Sequence, residues 1–207
     1  MESLDYKIVA SGSSGNAVRI KNIMIDAGVP FIKMKEELYE CDYLFITHHH
    51  SDHIRPSTLK NIKKYFPNIE ICSNPVTAYL HDIENTVYNN QEQELKHSIV
   101  TPFQCHHDVE CQGFVFEFDT GERVIYATDT NSMEDAPDGK FTHFFLEANY
   151  DEKKVRAIGD SRKKYGYDVT AGAYRHLSKK ASKTFYYLRR ADKNALYEEL
   201  HKSKRFY

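Results

Sequence analysis

The sequence predicts an α/β protein in which two mixed sheets pack face to face with helices outside. Three features carry that expectation: a βαβα rhythm ahead of residue 98, a change to consecutive strands after it, and further helices beyond residue 150. No internal repeat, low-complexity segment or Pro-rich linker divides the chain, so residues 1–207 are expected to form a single domain with enough length to bury a core.

Tyr6–Ala10 and Ala17–Ile20 read as paired strands, with the turn residues Ser11-Gly12-Ser13-Ser14-Gly15-Asn16 between them. Ile23 to Gly28 is a short strand ending in a turn. Phe31 to Tyr39 is a helix with Phe31, Met34 and Leu38 on one face. Tyr43 to Thr47 is continuously apolar, as a strand inside a sheet should be. Ser57 to Phe66 has helical spacing, Ile69 to Cys72 is a strand, and Asn74-Pro75 caps a helix with Pro at its first position. Strands follow at Ser98–Phe103, Gly113–Phe118 and Arg123–Ala127, the last two joined by the turn Asp119-Thr120-Gly121-Glu122, and then at Thr142–Glu147. Helices are expected at about 151–164 and 170–182, a strand at Thr184–Leu188 and a final helix at about 192–203.

No apolar run approaches the roughly 18 to 20 residues that span a bilayer, and the acidic start lacks the pattern of a signal peptide, so a cytoplasmic protein is expected. Cys41, Cys72, Cys105 and Cys111 show no CxxC spacing, which argues against a disulfide framework and a structural zinc knuckle and suits buried, inert thiols in a reducing cytoplasm. The net charge of −2 hides an asymmetry. Residues 1–150 hold 12 Lys and Arg against 23 Asp and Glu, whereas residues 151–207 hold 16 against 7. The basic end can offer an anion-binding face or simply solvate exposed helices.

Chemistry concentrates in Thr47-His48-His49-His50-Ser51-Asp52-His53, at the end of the apolar strand. In an extended segment His48 and His50 face the same side and can grip one ion. Asp52 and His53 follow once the chain turns and can reach a second. Imidazole and carboxylate suit Zn²⁺, and also Mn²⁺ or Fe.

This run resembles the metal loop of the metallo-β-lactamase superfamily, and within it the small bacterial and phage hydrolases of the YycJ type that lack a β-CASP insertion. The resemblance covers nearly the whole chain and implies an αββα four-layer sandwich. Ser13-Ser14-Gly15-Asn16 is similar to the family's opening turn, and Asp26 in Ile25-Asp26-Ala27-Gly28 matches an acidic residue that supports the metal loop. In Pro102 to Asp108 the family register makes His107, rather than His106, the third histidine of the first metal, with Asp108 setting its loop. Ala127-Thr128-Asp129-Thr130 looks like the segment whose aspartate, here Asp129, bridges two metals. Leu146 to Asp151 is similar to a segment near the site that supplies no ligand. Tyr174-Arg175-His176-Leu177-Ser178 resembles a GHLS segment with Arg175 in place of glycine, and makes His176 a candidate to protonate a leaving group.

The resemblance falters at Tyr187 to Asn194, where Arg189 falls at the position of the histidine that completes the second metal site. A guanidinium stays protonated and is no ordinary ligand. Either Asp52, His53, Asp129 and a substitute such as His176 hold the second ion, or it binds weakly or not at all, and Arg189 instead clamps a phosphate. The metal set implied is therefore His48, His50, Asp52, His53, His107 and Asp129, with Asp52, His176 and Arg189 as candidates for the chemistry, served by one or two Zn²⁺ or by Mn²⁺. A metal-activated water acting on a phosphodiester follows. The resemblance implies a nuclease acting on DNA or RNA, helped by a basic tail with Tyr174, Phe185, Tyr186 and Tyr187 interleaved. A cyclic-nucleotide phosphodiesterase of phage anti-defence type and a catalytically impaired binding homologue are the alternatives. No membrane partner is expected, and a homodimer is compatible with all three.

Overall fold

The computed structural model describes residues 4–158 and 169–207. The chain divides into two compact units, Met1–Tyr88 and Asn89–Tyr207, each built on one six-stranded mixed sheet. The α/β class expected from the sequence is thus the one observed.

The first unit contains β1 (Tyr6–Ala10), β2 (Ala17–Ile20), β3 (Ile23–Ile25), α1 (Phe31–Leu38), β4 (Tyr43–Ile46), α2 (Pro56–Tyr65), β5 (Glu70–Ser73), α3 (Pro75–His81) and β6 (Asn85–Thr86). Its strands lie in chain order. β1 to β3 form an antiparallel meander, and β3 to β6 are parallel. A parallel strand needs a crossover, and α1, α2 and α3 supply them. The caps explain where two of these helices begin. Pro56 and Pro75 occupy first positions, where a missing N–H costs nothing, and the Asn74 side chain accepts from Thr77 N at 2.8 Å. Met34 and Leu38 of α1, and Leu59 and Ile62 of α2, are buried with Met24, Leu44 and Ile46 of the sheet.

The second unit contains β7 (Gln93–Leu95), β8 (Ser98–Cys105), β9 (Cys111–Phe118), β10 (Arg123–Ala127), β11 (His143–Glu147), α4 (Glu152–Ala157), α5 (Val169–Ala173), α6 (Lys179–Arg189) and β12 (Leu196–Leu200). The spatial order runs β12-β11-β10-β9-β8-β7. β7 to β10 are antiparallel and β10, β11 and β12 are parallel, so these last three end at one edge.

Two expectations at the C-terminal end are corrected. Thr184–Leu188 is not a strand but the second half of α6, whose start is fixed by Ser178 Oγ accepting from Ala181 N at 3.1 Å. The aromatic run there has β propensity, but Phe185 and Tyr186 pack on Phe144, with ring centroids 6.4 and 5.1 Å away, and this burial decides the conformation. The expected final helix at 192–203 is instead β12. Its Leu and Glu favour helix in isolation, yet its pairing with β11 from His143–Leu196 to Glu147–Leu200 completes the sheet, and Leu200 is buried. Glu198 and Glu199 are charges typical of such an edge strand. The helix expected at 151–164 is observed at Glu152–Ala157, and its extension from 159 lies outside the described residues. The helix expected at 170–182 is two helices, α5 and the start of α6. The short strands β6 and β7 had no sequence signal.

No described helix is long and apolar enough to cross a membrane. Cys72, Cys105 and Cys111 are buried and in no disulfide, and burial pushes the Cys41 and Cys72 thiols up to about 12.

Candidate metal centre

In the first unit the parallel pairing of β3 with β4 places Asp26 beside Thr47 at the carboxyl ends of two neighbouring strands, where open α/β sheets bind ligands. Asp26 is fully buried and left-handed, with φ 65°. Such a conformation is costly for a residue with a side chain and persists where surrounding bonds impose it. Those bonds are present. Thr47 donates to Asp26 Oδ1 from N and from Oγ1, both at 2.9 Å, and His53 Nδ1 donates to Oδ2 at 2.7 Å. Burial pushes the Asp26 carboxyl up, against the opposing pull of His53 and Thr47.

The same bonds orient the imidazoles. With Nδ1 of His53 committed to Asp26, its lone pair is carried by Nε2, which lies 2.9 Å from Asn16 Nδ2. His48 Nδ1 lies 3.0 Å from Thr47 Oγ1, and His48 Nε2 lies 3.1 Å from His50 Nδ1, so His48 and His50 do share a side. The chain then turns as expected, with His53 N and Ile54 N both donating to His50 O at 2.9 Å. Asp52 is partly exposed, its Oδ2 at 3.7 Å from His53 Nε2.

The turn at Gly15-Asn16 and the glycine at 28 clamp this loop from outside. Asn16 N donates to Asp52 O at 2.7 Å. A Cβ at Gly28 would lie 1.7 Å from Asp52 O, so only glycine lets the loop pass.

In the second unit the parallel strands β10, β11 and β12 lead to Asp129, Glu147 and His201. Glu147 pairs with Leu200 in register, so His201 follows directly beside it. His201 (φ 48°) and Asp129 (φ 54°) are both left-handed. Asn149 Nδ2 donates to His201 O at 2.8 Å and helps hold that turn. Glu147 is fully buried and acts as an organiser. Oε1 lies 2.7 Å from His176 Nδ1 and 2.9 Å from His201 Nδ1, and Oε2 accepts from Thr130 N at 3.0 Å and Leu177 N at 3.3 Å.

Around Asp129 Oδ1 stand three imidazole nitrogens: His176 Nδ1 at 3.5 Å, His201 Nε2 at 3.6 Å and His107 Nε2 at 3.9 Å. Burial favours the neutral form of Glu147, but its bonds to His176 and His201 prevail and hold it below the usual range. His176 is the converse: burial disfavours its charged ring, and Glu147 more than compensates, so its pKa is raised.

Ligand atoms of Asp129, Glu147, His176 and His201 all lie within 4.8 Å of one another. Glu147 is bonded to Nδ1 of both histidines, so within this group Asp129 and His201 Nε2 are the atoms suited to a divalent ion such as Zn²⁺ or Mn²⁺.

His106 and His107 part company. His106 Nε2 lies 2.6 Å from Asp135 Oδ2 and 3.2 Å from Glu134 Oε1, away from Asp129, whereas His107 approaches Asp129 and Asp108. Asp108 also meets Arg175 at 3.3 Å.

Arg189 does not stand where a ligand histidine belongs. It ends α6, binds Asp138 Oδ1 at 2.8 Å and accepts from Phe141 N through its carbonyl. The residue that follows the last strand of the sheet is His201. The sequence hides it, because Thr184–Leu188 has the β propensity of a last strand while Leu196–Leu200 has the composition of a helix, and Glu147 sits in a segment with no local mark of an anchor. No local signal marks His201, since Leu196-Tyr197-Glu198-Glu199-Leu200 lacks the apolar-polar alternation of a strand.

A pair of mixed sheets whose parallel strands end in buried carboxylates and histidines defines an α/β protein of the metallo-β-lactamase class. The chain belongs to the beta-lactamase superfamily: the family model described as Beta-lactamase superfamily domain matches residues 21–158. Among its relatives, exodeoxyribonuclease WalJ of Streptococcus pneumoniae serotype 2 (strain D39) is 27% identical over 179 residues, or 73% of this chain. The match spans 65% of that relative's length. Exodeoxyribonuclease YycJ of Bacillus anthracis is 24% identical over 178 residues, 74% of this chain and 66% of the relative. The solved structure of human tRNase Z, short form, matches 97% of this chain and 93% of its own, with TM-score 0.64 and 16% identity, a likeness of fold.

Proposed function

We propose that this chain is a metal-dependent phosphodiester hydrolase acting on nucleic acid. The observation that carries the proposal is the gathering of three imidazole nitrogens within 3.5 to 3.9 Å of Asp129 Oδ1, two of them bonded to the buried Glu147. The ligands proposed are His48, His50, Asp52 and His53 in the first unit and His107, Asp129 and His201 in the second. We assign to His201 the role that the resemblance gave to the position of Arg189, and this assignment favours an active hydrolase over an impaired homologue.

Bound metal supplies a water of lowered pKa and positive charge against the phosphodiester oxygens. The side chains do the rest. Asp26 and Glu147 hold imidazoles by Nδ1 and so fix which nitrogen is presented. Glu147 keeps His176 Nδ1 protonated and raises the pKa of the ring, so a second proton at Nε2 is available to the departing oxygen. The names of the two nuclease relatives support nucleic acid as the substrate class.

The test is turnover of bis(4-nitrophenyl) phosphate, single- and double-stranded DNA, RNA and cyclic nucleotides with Mn²⁺ or Zn²⁺. Hydrolysis of linear nucleic acid that is lost in His50→Ala and Asp52→Ala is expected. Activity confined to cyclic nucleotides, or activity that survives both substitutions, overturns the proposal.

A further inference from the structure

We propose that one face of α6 is a track that holds a single strand of nucleic acid and leads it to the Asp129 cluster; this deepens the hydrolase reading above and rests on it. Lys180, Lys183, Thr184 and Tyr187 recur at helical spacing, so they share one face, and all four line a cavity of about 610 Å³ shared with α4. Lys153 and Arg156 of α4 line it too. The lining holds five Lys and Arg against two carboxylates. Asp151 accepts from Lys153 N at 2.8 Å as the cap of α4, and Glu152 accepts from Ser178 Oγ at 2.8 Å; of the cations, Arg156 lies 3.8 Å from Glu152 and Lys183 3.6 Å from Glu199, which leaves Lys153, Lys179 and Lys180 in excess.

Lys179, Lys180 and Lys183 crowd the start of α6, which has no acidic residue in its first turn. Cations there oppose the helix dipole, and an anion lying over them relieves the conflict. Tyr187 adds an exposed ring, with the Arg190 guanidinium 4.9 Å from its centroid. Cations spaced along an exposed aromatic suit a flexible phosphate chain whose bases are open to stacking; a duplex offers such a ring no base face.

The track has a destination. A second groove of about 430 Å³ shares Glu152, Lys180 and Thr184 with the first and runs to Asn131 and Leu177. These residues adjoin Thr130 and His176, and Glu147 Oε2 pins this end by accepting from Thr130 N at 3.0 Å and Leu177 N at 3.3 Å.

The experiment is fluorescence anisotropy with a labelled single-stranded oligodeoxynucleotide, its duplex and polyglutamate as competitor, in EDTA. Lys180→Ala/Lys183→Ala is expected to weaken single-strand binding about 25-fold at about 0.1 M salt and to lower the slope of log affinity against log salt by about 1.4. Tyr187→Ala is expected to weaken it about tenfold without changing the slope. Lys60→Ala/Lys64→Ala, a pair of exposed lysines on α2, is expected to bind like the unaltered chain. Unchanged affinity and slope in the Lys180/Lys183 variant, tighter binding of the duplex, or equal competition by polyglutamate overturns the track. Turnover of bis(4-nitrophenyl) phosphate by the unaltered protein reports on the hydrolase reading separately. Hydrolysis without α6-dependent binding sinks the track alone, and α6-dependent binding without hydrolysis sinks the hydrolase reading while supporting the track.

Discussion

The two units present their ligand-type side chains in opposite ways. The first carries His48, His50, Asp52 and His53 within one short loop, whereas the second collects His107, Asp129, Glu147, His176 and His201 from five separate segments. Each nevertheless relies on one buried carboxylate at the carboxyl end of a parallel strand. Asp26 and Glu147 differ in direction of pKa shift, and the difference is instructive. Asp26 has a single imidazole against it, and burial prevails; Glu147 has two, and their bonds prevail over burial. A local loop thus obtains its geometry from its own turn and from bonds to Asp26 and Asn16, while the dispersed cluster is held by one carboxylate that two imidazoles share.

If the dispersed cluster is the working half, His201→Ala should have the largest effect. It is expected to cost more than the roughly 10- to 100-fold typical of an outer partner, whereas Arg189→Ala stays near the unaltered rate; kcat/KM together with metal content decides. Equal losses would return Arg189 to the site.

Glu147→Gln keeps the shape and removes the charge, so a loss of about 10- to 100-fold is expected. It also shifts the pH profile. Glu147 raises the His176 pKa, so the acid form survives to higher pH and activity falls as pH rises through that value. Removing the carboxylate lowers the pKa and moves this falling limb to lower pH. An unmoved limb excludes His176 as the proton donor.

The first unit's loop is tested through its backbone. Gly28→Ala sets a Cβ against the Asp52 carbonyl and is expected to destabilise by about 3 kcal/mol in urea unfolding, with weaker metal binding. A variant as stable as the original would show that the loop has room to shift.

The smallest effect lies away from both clusters. Arg19, itself buried, lowers the pKa of the mostly exposed Asp5 from 3.8 through a 2.8 Å bond. A depressed carboxylate contributes stability above its unfolded value and loses it as pH falls through the folded one. The unfolding free energy of Asp5→Asn in urea should therefore differ less from that of the unaltered chain below pH 3.8 than above it, by under about 1 kcal/mol for this exposed partner.

Much of this was legible in the sequence. The hairpin of β1 and β2, α1, the apolar β4 and the cap at Asn74-Pro75 follow from propensity and periodicity, because those signals are local. The His48 to His53 loop was legible for the same reason, since its spacing, a strand and a turn fix which side chains can meet. His201 was not, because nothing near it in sequence marks Leu196–Leu200 as a strand; only pairing with β11 makes it one. Arg189 was misplaced by the same error, as Thr184 to Leu188 reads as a strand until Phe185 and Tyr186 find their partners on Phe144. The sequence by itself determined the residue types that can hold metal and the loop that presents four of them. The tertiary structure decided which distant histidines join Asp129, because that depends on three parallel strands ending in register and on the one buried glutamate between them.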